Sequence, residues 1–320
     1  MNVEQRDGDS GRILVTGSNG FVGRRLMRRL MEHASCRLFT IGRRPAAGDD
    51  VSALDVDLRN ESEVRRAVAF ARPDFIFHLA AQSSSAASSA SPRDAWEVNA
   101  VATMLLADAA REYVPEATFF FVSSTEVYGA AFNDGVVSED TVPRPMSVYG
   151  KSKLAAENIL QDVLPPTMQC IIARPTNHSG PGQDGRFVLP AFAAQVASGK
   201  TEIHVGNIAV ERDFLHVDDV IDAYLSLMKC RAGIENRACF NIASGNPVSL
   251  ERIIQRLFQM KGVAGSIVID EAKRRPSDVP RTLIRADRIA RATGWRPRRT
   301  LDDLLGELLE EHHSGAPPGR

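Results

Sequence analysis

A tyrosine and a lysine separated by one helix turn stand at positions 149 and 153, and Ser124 lies upstream of them. Residues i and i+4 of a helix share one face, so a helix over this segment would place the phenol beside the ammonium. A neighbouring cation stabilises a phenolate, and we therefore expect the pKa of Tyr149 to lie below its ordinary value of about 10. The pair predicts an acid-base group, although the spacing alone also occurs by chance in many chains.

A glycine-rich turn follows the first apolar run of the chain, residues 12–16, and precedes an amphipathic run at 24–33. Strand, tight turn and helix in this order, with the spacing Gly-xx-Gly-xx-Gly, are typical of a dinucleotide-binding loop. Glycines let backbone N–H groups approach a pyrophosphate, and the helix N-terminus favours its negative charge. A turn without a ligand is the alternative. The loop residues predicted to bind the dinucleotide are Gly17, Asn19, Gly20, Phe21, Val22 and Gly23.

The second predicted strand, residues 36–41, should end where the adenosine ribose of a bound dinucleotide lies. An acidic residue usually holds the ribose of NAD at this place, and the chain has none there. It continues instead with Arg43 and Arg44, whose guanidinium groups suit a 2′-phosphate because they stay charged and offer several donors in one plane. The two arginines favour NADP(H) as the cofactor, with NAD(H) still open. Two solvated arginines without a ligand are the alternative.

Composition and charge restrict the class of protein. A chain of 320 residues with 43% hydrophobic residues can bury a sizeable core, and its net charge of −1 argues against a nucleic-acid or membrane-surface partner. No apolar run approaches the roughly 20 residues that span a bilayer, and the N-terminus lacks an apolar signal core, so we expect a soluble cytoplasmic enzyme. The four cysteines have no metal-ligand spacing, which predicts reduced thiols and no metal.

Alternating strand-like and helical runs predict an α/β fold with a Rossmann-type doubly wound parallel sheet. We assign the NADP-binding domain to residues 11–174, with returning segments near 213–247, and a smaller, partly discontinuous substrate lobe mainly to residues 175–313. The serine-rich run at 83–91 is expected to be a flexible loop over the cofactor, and the tails 1–10 and 314–320 to be disordered. Strands are predicted at 12–16, 36–41, 51–56, 74–79, 117–123, 168–174, 202–205 and 266–270, and helices at 21–33, 61–71, 93–113, 149–163, 187–198, 217–230, 249–260 and 300–312.

The glycine loop together with Ser124, Tyr149 and Lys153 resembles the extended short-chain dehydrogenase/reductases that act on nucleotide-sugars, over nearly the whole chain. The resemblance implies that Ser124 hydrogen-bonds the reacting sugar oxygen, that Tyr149 exchanges a proton with it, and that Lys153 also holds the nicotinamide ribose. It further implies dinucleotide contacts from Asp57, Leu58, Leu79, Ala80 and Ala81. The alternatives are that Asp57 caps the next helix and that Leu79 belongs to the core.

Segments 144–149, 174–183, 205–214 and 275–280 resemble a narrower group, the GDP-mannose branch, and most of all the GDP-6-deoxy-4-keto-D-mannose reductases that make GDP-D-rhamnose. Charge-assisted donors suit a diphosphate, and a carboxylate suits a ribose or a guanine edge. For Arg212 and Arg275, which lie in these segments, surface ion pairs are the alternative. The substrate-binding residues that the resemblance implies are Ser124, Thr125, Asn177, Arg212, Arg275 and Asp278.

The related 4,6-dehydratases share this scaffold but need an additional base, for which Glu126 is the candidate. The resemblance at 144–149 and 275–280 favours instead NAD(P)H-dependent reduction of the C4 ketone of a GDP-4-keto-6-deoxy-hexose, giving GDP-D-rhamnose or its C4 epimer. A GDP-mannose or other nucleotide-sugar 4,6-dehydratase and a nucleotide-sugar 4-epimerase stay as alternatives. Family members usually dimerise through the helices at 93–113 and 149–163, so we expect a homodimer through a helix bundle.

Overall fold

Strands and helices alternate along the first half of the chain in the computed structural model, which describes residues 11–32, 36–48, 50–270 and 279–313. The strands there are β1 (Arg12–Thr16), β2 (Arg37–Gly42), β3 (Val51–Asp55), β4 (Phe75–His78), β5 (Thr118–Val122) and β6 (Cys170–Pro175). The helices are α1 (Phe21–Met31), α2 (Glu61–Ala71), α3 (Ser85–Ala90), α4 (Pro92–Trp96), α5 (Ala102–Tyr113) and α6 (Val148–Val163), and a π-helical segment, Glu97–Val101, joins α4 to α5.

Shorter strands and further helices follow. The strands are β7 (Asn177–Ser179), β8 (Glu202–Val205), β9 (Glu211–Arg212), β10 (Phe214–His216), β11 (Ala238–Ile242), β12 (Val248–Ser249) and β13 (Ser266–Ile269). The helices are α7 (Val188–Ala197), α8 (Val217–Lys229), α9 (Leu250–Lys261), α10 (Asp287–Thr293) and α11 (Leu301–His313). Within the described part of the chain, none of the helices combines the length and the apolar character needed to cross a bilayer.

The main sheet has seven strands in the order β11-β6-β5-β4-β1-β2-β3. β1 pairs in parallel with β2 on one side and with β4 on the other, and Thr16 is the Cα partner of His78 at the carboxyl end. The strand order reverses at β1, and open α/β sheets bind ligands beside the carboxyl ends of the strands at such a switch point. The predicted doubly wound sheet is therefore confirmed, and the ends of β1 and β4 mark its binding edge.

Three consecutive phenylalanines in β5, Phe119 to Phe121, are fully buried because both faces of the sheet are covered. Phe119 and Phe121 pack in one core cluster with Leu106 of α5 and Leu160 of α6. The ring of Phe120 lies 5.3 Å from that of Tyr224, in α8. The packing on both sides fixes the end of β5, and Ser124 is the second residue after that end.

Among the described residues, contacts divide the chain into two compact units. The first unit comprises Met1–Val127, Pro145–Arg174 and Tyr224–Phe240, and the second comprises Tyr128–Arg144, Pro175–Ala223 and Asn241–Arg320. In the second unit, apolar residues of α7, α9 and α11 form a separate core around β8, with Leu189, Ile203, Ile253 and Leu305 all almost fully buried. Each unit therefore has a hydrophobic core of its own.

Two segments differ from the sequence-based expectation. The serine-rich run at 83–91 is not a loop, because it contains α3, whose N-cap Ser84 accepts a hydrogen bond from the N–H of Ala87 at 3.2 Å. A capping serine before alanines favours a helix over a loop. The helix predicted at 93–113 is interrupted by the π-helical segment. The tails predicted to be disordered lie outside the described residues.

Candidate active site

The turn after β1 excludes side chains and leaves its backbone accessible. Gly17 has a φ of +71°, and a Cβ on it would lie 2.7 Å from the backbone nitrogen of Ala80. A Cβ on Gly23 would collide with the carbonyl oxygen of Gly17. Gly20 is the N-cap of α1 and offers no side-chain cap, and the first turn of α1 holds no acidic residue, so the N–H groups at this end can receive an anion. The other two predicted loop residues in α1, Phe21 and Val22, are half-buried.

The loop after β2 presents two exposed arginines next to the glycine turn. The side-chain amide of Asn19 donates a hydrogen bond to the carbonyl oxygen of Arg44. The N–H of Arg44 donates to Oδ1 of Asp55 at 3.1 Å. These bonds hold the loop backbone, while the side chains of Arg43 and Arg44 are exposed. The arrangement can accept a 2′-phosphate.

Asp57 and Leu58 follow β3. Oδ1 and Oδ2 of Asp57 accept hydrogen bonds from Nε and Nη2 of Arg59 at 3.0 and 2.7 Å, and Arg59 is the main reason that the pKa of Asp57 is lowered to about 2. Asn60, rather than Asp57, is the N-cap of α2, so the capping alternative for Asp57 is wrong. Leu58 packs against the core of the first unit. The two side chains are thus fixed at the carboxyl edge of the sheet.

Residues 79–81 continue β4 and are half-buried, so Leu79 is not a fully buried core residue. The N–H of Ala80 donates to the hydroxyl of Thr16 at 3.1 Å, and that hydroxyl lies 2.7 Å from Nδ1 of His78. Nε2 of His78 lies 2.8 Å from the hydroxyl of Thr103. Burial lowers the pKa of His78 to about 3. A neutral histidine therefore ties the ends of β1 and β4 to α5 and lets residues 79–81 line the edge.

Tyr149 lies in the first turn of α6, which Ser147 caps by accepting a hydrogen bond from the N–H of Gly150 at 2.9 Å. The phenol of Tyr149 hydrogen-bonds the hydroxyl of Ser124, and the two residues are 8% and 9% exposed. Burial raises the pKa of Tyr149 above its usual range, and the carboxylate of Glu126 adds to this, while the bond to Ser124 opposes it. The expectation of a lowered pKa is wrong for this structure because desolvation dominates.

Lys153 follows Tyr149 by one turn of α6 and is 1% exposed. Its Nζ lies 4.2 Å from the centre of the Phe121 ring, a contact that favours the ammonium. Burial nevertheless lowers the pKa of Lys153 to about 7, and the carboxylate of Glu157 opposes this shift. Near neutral pH, Tyr149 therefore keeps its proton and Lys153 is close to its titration midpoint. A protonated phenol is the form that can act as a general acid.

Glu126 connects the segment after β5 to two helices. Its Oε2 accepts hydrogen bonds from the hydroxyls of Ser85 in α3 and Ser147 before α6, at 3.0 and 2.7 Å. Its N–H donates to the hydroxyl of Ser124 at 3.1 Å. Thr125 beside it is 6% exposed. These bonds fix the Ser124 hydroxyl relative to the start of α6.

Asn99 is a buried site residue that the sequence did not reveal. Its Oδ1 accepts a hydrogen bond from the N–H of Gln82 at 2.8 Å, and its Nδ2 donates to the hydroxyl of Ser152 at 2.9 Å. That hydroxyl donates in turn to the carbonyl oxygen of Tyr149 at 2.8 Å. Asn99 lies in the π-helical segment, and π-bulges are frequent at functional sites. No residue pattern in the sequence marks this bulge.

In the second unit, Asn177 lies beside Asp213 and Phe214, and Arg212 immediately precedes these two residues. Asn177, in β7, pairs with Phe214 of β10, and its Nδ2 donates to the carbonyl oxygen of Asp213 at 3.4 Å. Arg212, in β9, donates from Nη1 to the carbonyl oxygens of Glu211 and Val279 at 3.0 and 2.8 Å. The other two predicted substrate-binding residues, Arg275 and Asp278, lie outside the described residues.

The comparisons with known proteins agree with the geometry. Residues 13–243 match the NAD dependent epimerase/dehydratase family. The chain is 32% identical to the GDP-6-deoxy-D-mannose reductase of Pseudomonas aeruginosa over 313 residues, which cover 95% of this chain and 97% of that protein. The structure of RMD from Pseudomonas aeruginosa complexed with NADPH has a TM-score of 0.80 and 31% identity, with 96% of this chain and 100% of that chain covered. The UDP-glucose 4-epimerase of Thermus thermophilus complexed with NAD has a TM-score of 0.82 and 25% identity, with 95% and 100% covered.

Proposed function

Because this chain belongs to the NAD dependent epimerase/dehydratase family, we propose that it is an NAD(P)H-dependent reductase of the C4 ketone of a GDP-4-keto-6-deoxy-hexose. The observation that carries the proposal is a buried Tyr149 that hydrogen-bonds Ser124 one turn before Lys153, and burial raises the pKa of its phenol. A ketone reduction needs a proton donor, and Tyr149 is in the donor form. The similarity to the GDP-6-deoxy-D-mannose reductase supports the choice of substrate.

Ser124 and Tyr149 would both hydrogen-bond the C4 oxygen of the sugar and fix the ketone against the nicotinamide. When bound, NAD(P)H supplies the hydride that adds to C4. Tyr149 gives its proton to the oxygen as the C=O bond becomes a single bond, which leaves a 4-hydroxy sugar, oxidised cofactor and a phenolate. Lys153 stabilises that phenolate by its charge until a solvent proton replaces the lost one. An alkoxide is a stronger base than a phenolate, so even a phenol of raised pKa can protonate it.

The residues at the edge of the sheet fit a nicotinamide dinucleotide. The glycine turn has no room for side chains at Gly17 and Gly23, so a pyrophosphate can approach the N–H groups at the start of α1. Tyr149 and Lys153 would hold the nicotinamide ribose at the other end. We propose NADP(H) as the preferred form because Arg43 and Arg44 are both exposed beside the turn. The complex of RMD with NADPH supports this choice, and the NAD complex of the epimerase keeps NAD(H) as the alternative.

A 4,6-dehydratase would need Glu126 as a further base. Its carboxylate here accepts hydrogen bonds from Ser85 and Ser147 and so links α3 to α6. We propose that Glu126 serves the reductase by fixing Ser124 and by keeping Tyr149 protonated, rather than by taking a proton from the sugar. The dehydratase and the epimerase that the family name also covers are the alternative functions.

The remaining expectations concern parts of the molecule away from Tyr149. We propose that the first unit binds the cofactor and that the second unit, through Asn177 and Arg212, binds the diphosphate of the nucleotide-sugar.

We also propose a homodimer through α4, α5, α6 and the π-helical segment between α4 and α5, where Trp96 and Val101 are each 40% exposed. A cytoplasmic location would keep the four cysteines reduced, as they are in the structure.

The test is a turnover experiment with the purified protein, NADPH and GDP-4-keto-6-deoxymannose. We expect one NADPH to be oxidised for each sugar reduced, and NMR of the product ring distinguishes GDP-D-rhamnose from its C4 epimer. The UDP- and dTDP-linked ketosugars serve as controls for the nucleotide. Absence of NADPH oxidation with all three substrates would contradict the proposal. Conversion of GDP-mannose without net use of NADPH would instead identify a dehydratase.

A further inference from the structure

A buried ion pair lies one helix turn beyond Lys153. Nε and Nη2 of Arg174, at the end of β6, donate to Oε1 and Oε2 of Glu157 in α6 at 2.9 and 2.6 Å. The two side chains are 8% and 3% exposed. The hydroxyl of Ser123 also donates to Oε1 of Glu157. Three elements of the first unit therefore meet at one carboxylate.

The ion pair connects directly to two residues of the proposed reaction. Glu157 follows Lys153 by four positions of α6, so both side chains lie on one face of the helix. Ser123 immediately precedes Ser124, which hydrogen-bonds Tyr149. Burial lowers the pKa of Lys153, and the electrostatic interaction with Glu157 opposes this by favouring the ammonium form. A displacement of Glu157 would thus affect both the ammonium of Lys153 and, through Ser123, the position of Ser124.

A stability role alone does not explain this arrangement well. A buried ion pair gives little net stability, because the desolvation of two charges offsets their attraction, and apolar residues of similar size often replace one without loss. Two carboxylate oxygens with three protein donors fix a negative charge in one place. A fixed charge is useful where a neighbouring group must stay protonated.

We propose that Glu157, clamped by Arg174 and Ser123, is a positioning residue that acts through Lys153. Its carboxylate is the counter-charge that favours the ammonium form of Lys153, and Arg174 limits how much of that negative charge acts on it. The inference rests on the proposed role of Lys153 in the reductase. The ion pair between Glu157 and Arg174 would then set how readily Lys153 is protonated, which is a function beyond that of Lys153 itself.

Other charged or titratable groups of the first unit also face this region. His78 in β4 interacts electrostatically with Lys153 but is neutral near pH 7, because burial lowers its pKa to about 3. Glu126 acts electrostatically on Tyr149, and Tyr149 acts in turn on Tyr224. Glu157 is thus the group that compensates the buried charge of Lys153. The titratable groups that interact electrostatically with Lys153 are thus His78 in β4 and Glu157 in α6, and Arg174 in β6 contacts the second of them.

The experiment measures the titration of Lys153 in the full-length protein by NMR with lysine labelled with carbon-13 at Cε. The chain has only six lysines, and Lys153→Arg assigns the signal. Glu157→Gln removes the negative charge and leaves Arg174, so we expect the midpoint of Lys153 to fall by about one pH unit or more. Arg174→Gln leaves the carboxylate uncompensated, so we expect the midpoint to rise. The double variant should return it close to the wild-type value.

Arg174→Lys is the matched control, because it keeps the positive charge but loses the paired donors of the guanidinium. It should leave the Lys153 midpoint in place. A purely structural role predicts instead that both single variants lose stability without opposite shifts. Equal midpoints in folded wild type and Glu157→Gln, or shifts of the same sign in both single variants, would overturn the proposal. If Arg174→Gln does not fold, Glu157→Gln and Arg174→Lys still decide between the two outcomes.

The enzymatic readout is the alkaline limb of kcat/KM for NADPH-dependent reduction. It should move to lower pH in Glu157→Gln and to higher pH in Arg174→Gln, parallel to the NMR midpoints, and Glu157→Asp should restore part of the first change. A wild-type protein without reductase activity would contradict the proposed function alone, because the NMR titration needs no turnover. Midpoints that shift without any change in an active enzyme would overturn the role in the reaction.

Discussion

Burial acts on the two central residues of the site in opposite directions. It raises the pKa of Tyr149 and lowers that of Lys153 to about 7, because it disfavours the charged form of each. The phenol therefore stays neutral over the physiological range, while the lysine can gain or lose its charge. The proposed reduction uses Tyr149 as an acid, and this resting state is already loaded with the proton that it must deliver.

Replacement of Tyr149 by phenylalanine tests the acid directly. The change removes one hydroxyl from a buried ring, so we expect kcat to fall by at least about 100-fold, since general acid catalysis contributes factors of that size or more. The affinity for NADPH, measured by fluorescence titration, should stay within about twofold, because nearly all of the proposed cofactor contacts come from other residues, including the glycine turn. Tyr113→Phe, at the end of α5, is the control and should leave kcat unchanged. A Tyr149→Phe enzyme with wild-type kcat would exclude Tyr149 as the donor.

Arg43 and Arg44 are the residues that we propose to set the preference for NADP(H) over NAD(H). Their side chains are exposed, so replacement by alanine should not disturb the fold. A charge-assisted bond to a phosphate is worth about 1.5–3 kcal/mol, and we therefore expect the double variant to raise KM for NADPH by about tenfold or more. KM for NADH should change little. Equal effects on both cofactors would show that the arginines do not read the 2′-phosphate.

A sequence can propose residues whose chemistry is local, but it does not reveal those whose role depends on packing. Ser124, Tyr149 and Lys153 were proposed from a spacing and a resemblance, and the structure places the first two in hydrogen-bond contact and buries all three. The direction of the Tyr149 pKa could not be predicted, because it depends on how deeply neighbouring elements bury the ring. Asn99 was missed for the same reason, since its partners are Gln82 and Ser152 from elsewhere in the chain.

At the scale of elements, apolar runs located β1 to β6 of the main sheet to within about two residues. The central strands of this sheet are buried on both faces and read as continuous apolar runs, as β5 does. α3 was missed because serine has a modest helix propensity and its capping bond is visible only in the structure. α10 was missed because it is short, with Asp287–Thr293 as its full extent and only Ile289 buried.

Two glycines inside helices give opposite predictions. A Cβ on Gly150, in α6, would lie 2.6 Å from the carbonyl oxygen of Glu126, whereas a Cβ on Gly306, in α11, would lie 3.5 Å from the side-chain end of Met260. Gly150→Ala should therefore push α6 away from the turn that holds Ser124, and we expect lower stability and a kcat reduced by about tenfold or more. Gly306→Ala should be neutral or stabilise by up to about 1 kcal/mol, because alanine is the better helix former.

Steady-state kinetics and urea unfolding of both variants measure these effects. Both glycines are helical, but a Cβ on Gly150 meets the backbone of Glu126 and a Cβ on Gly306 meets only the end of a side chain. The comparison therefore separates the effect of helix propensity from that of the contact with Glu126. A Gly150→Ala variant as stable and active as the Gly306→Ala variant would show that the turn can move without consequence for the site.

At the scale of the molecule, stability should depend on His78 below neutral pH. His78 is fully buried in the first unit, with Thr16 and Thr103 at its two ring nitrogens, and its pKa is lowered to about 3. In the unfolded chain its pKa returns to about 6.5, so between these two values the unfolded state binds more protons. The free energy of unfolding therefore falls as the pH drops from about 6.5 towards 3, by a few kcal/mol at most from this residue.

His78→Gln keeps hydrogen-bonding groups at the same place but removes the titration. We expect it to be less stable than the wild type at pH 7, because it loses ring contacts with Phe119 and Phe121, and to show a flatter decline of stability with falling pH. Urea unfolding of each protein at a series of pH values measures both effects. His204→Gln, at an exposed position of β8, is the control and should follow the wild-type curve. Parallel curves for wild type and His78→Gln would assign the acid sensitivity to carboxylates instead, since these also lose their partners on protonation.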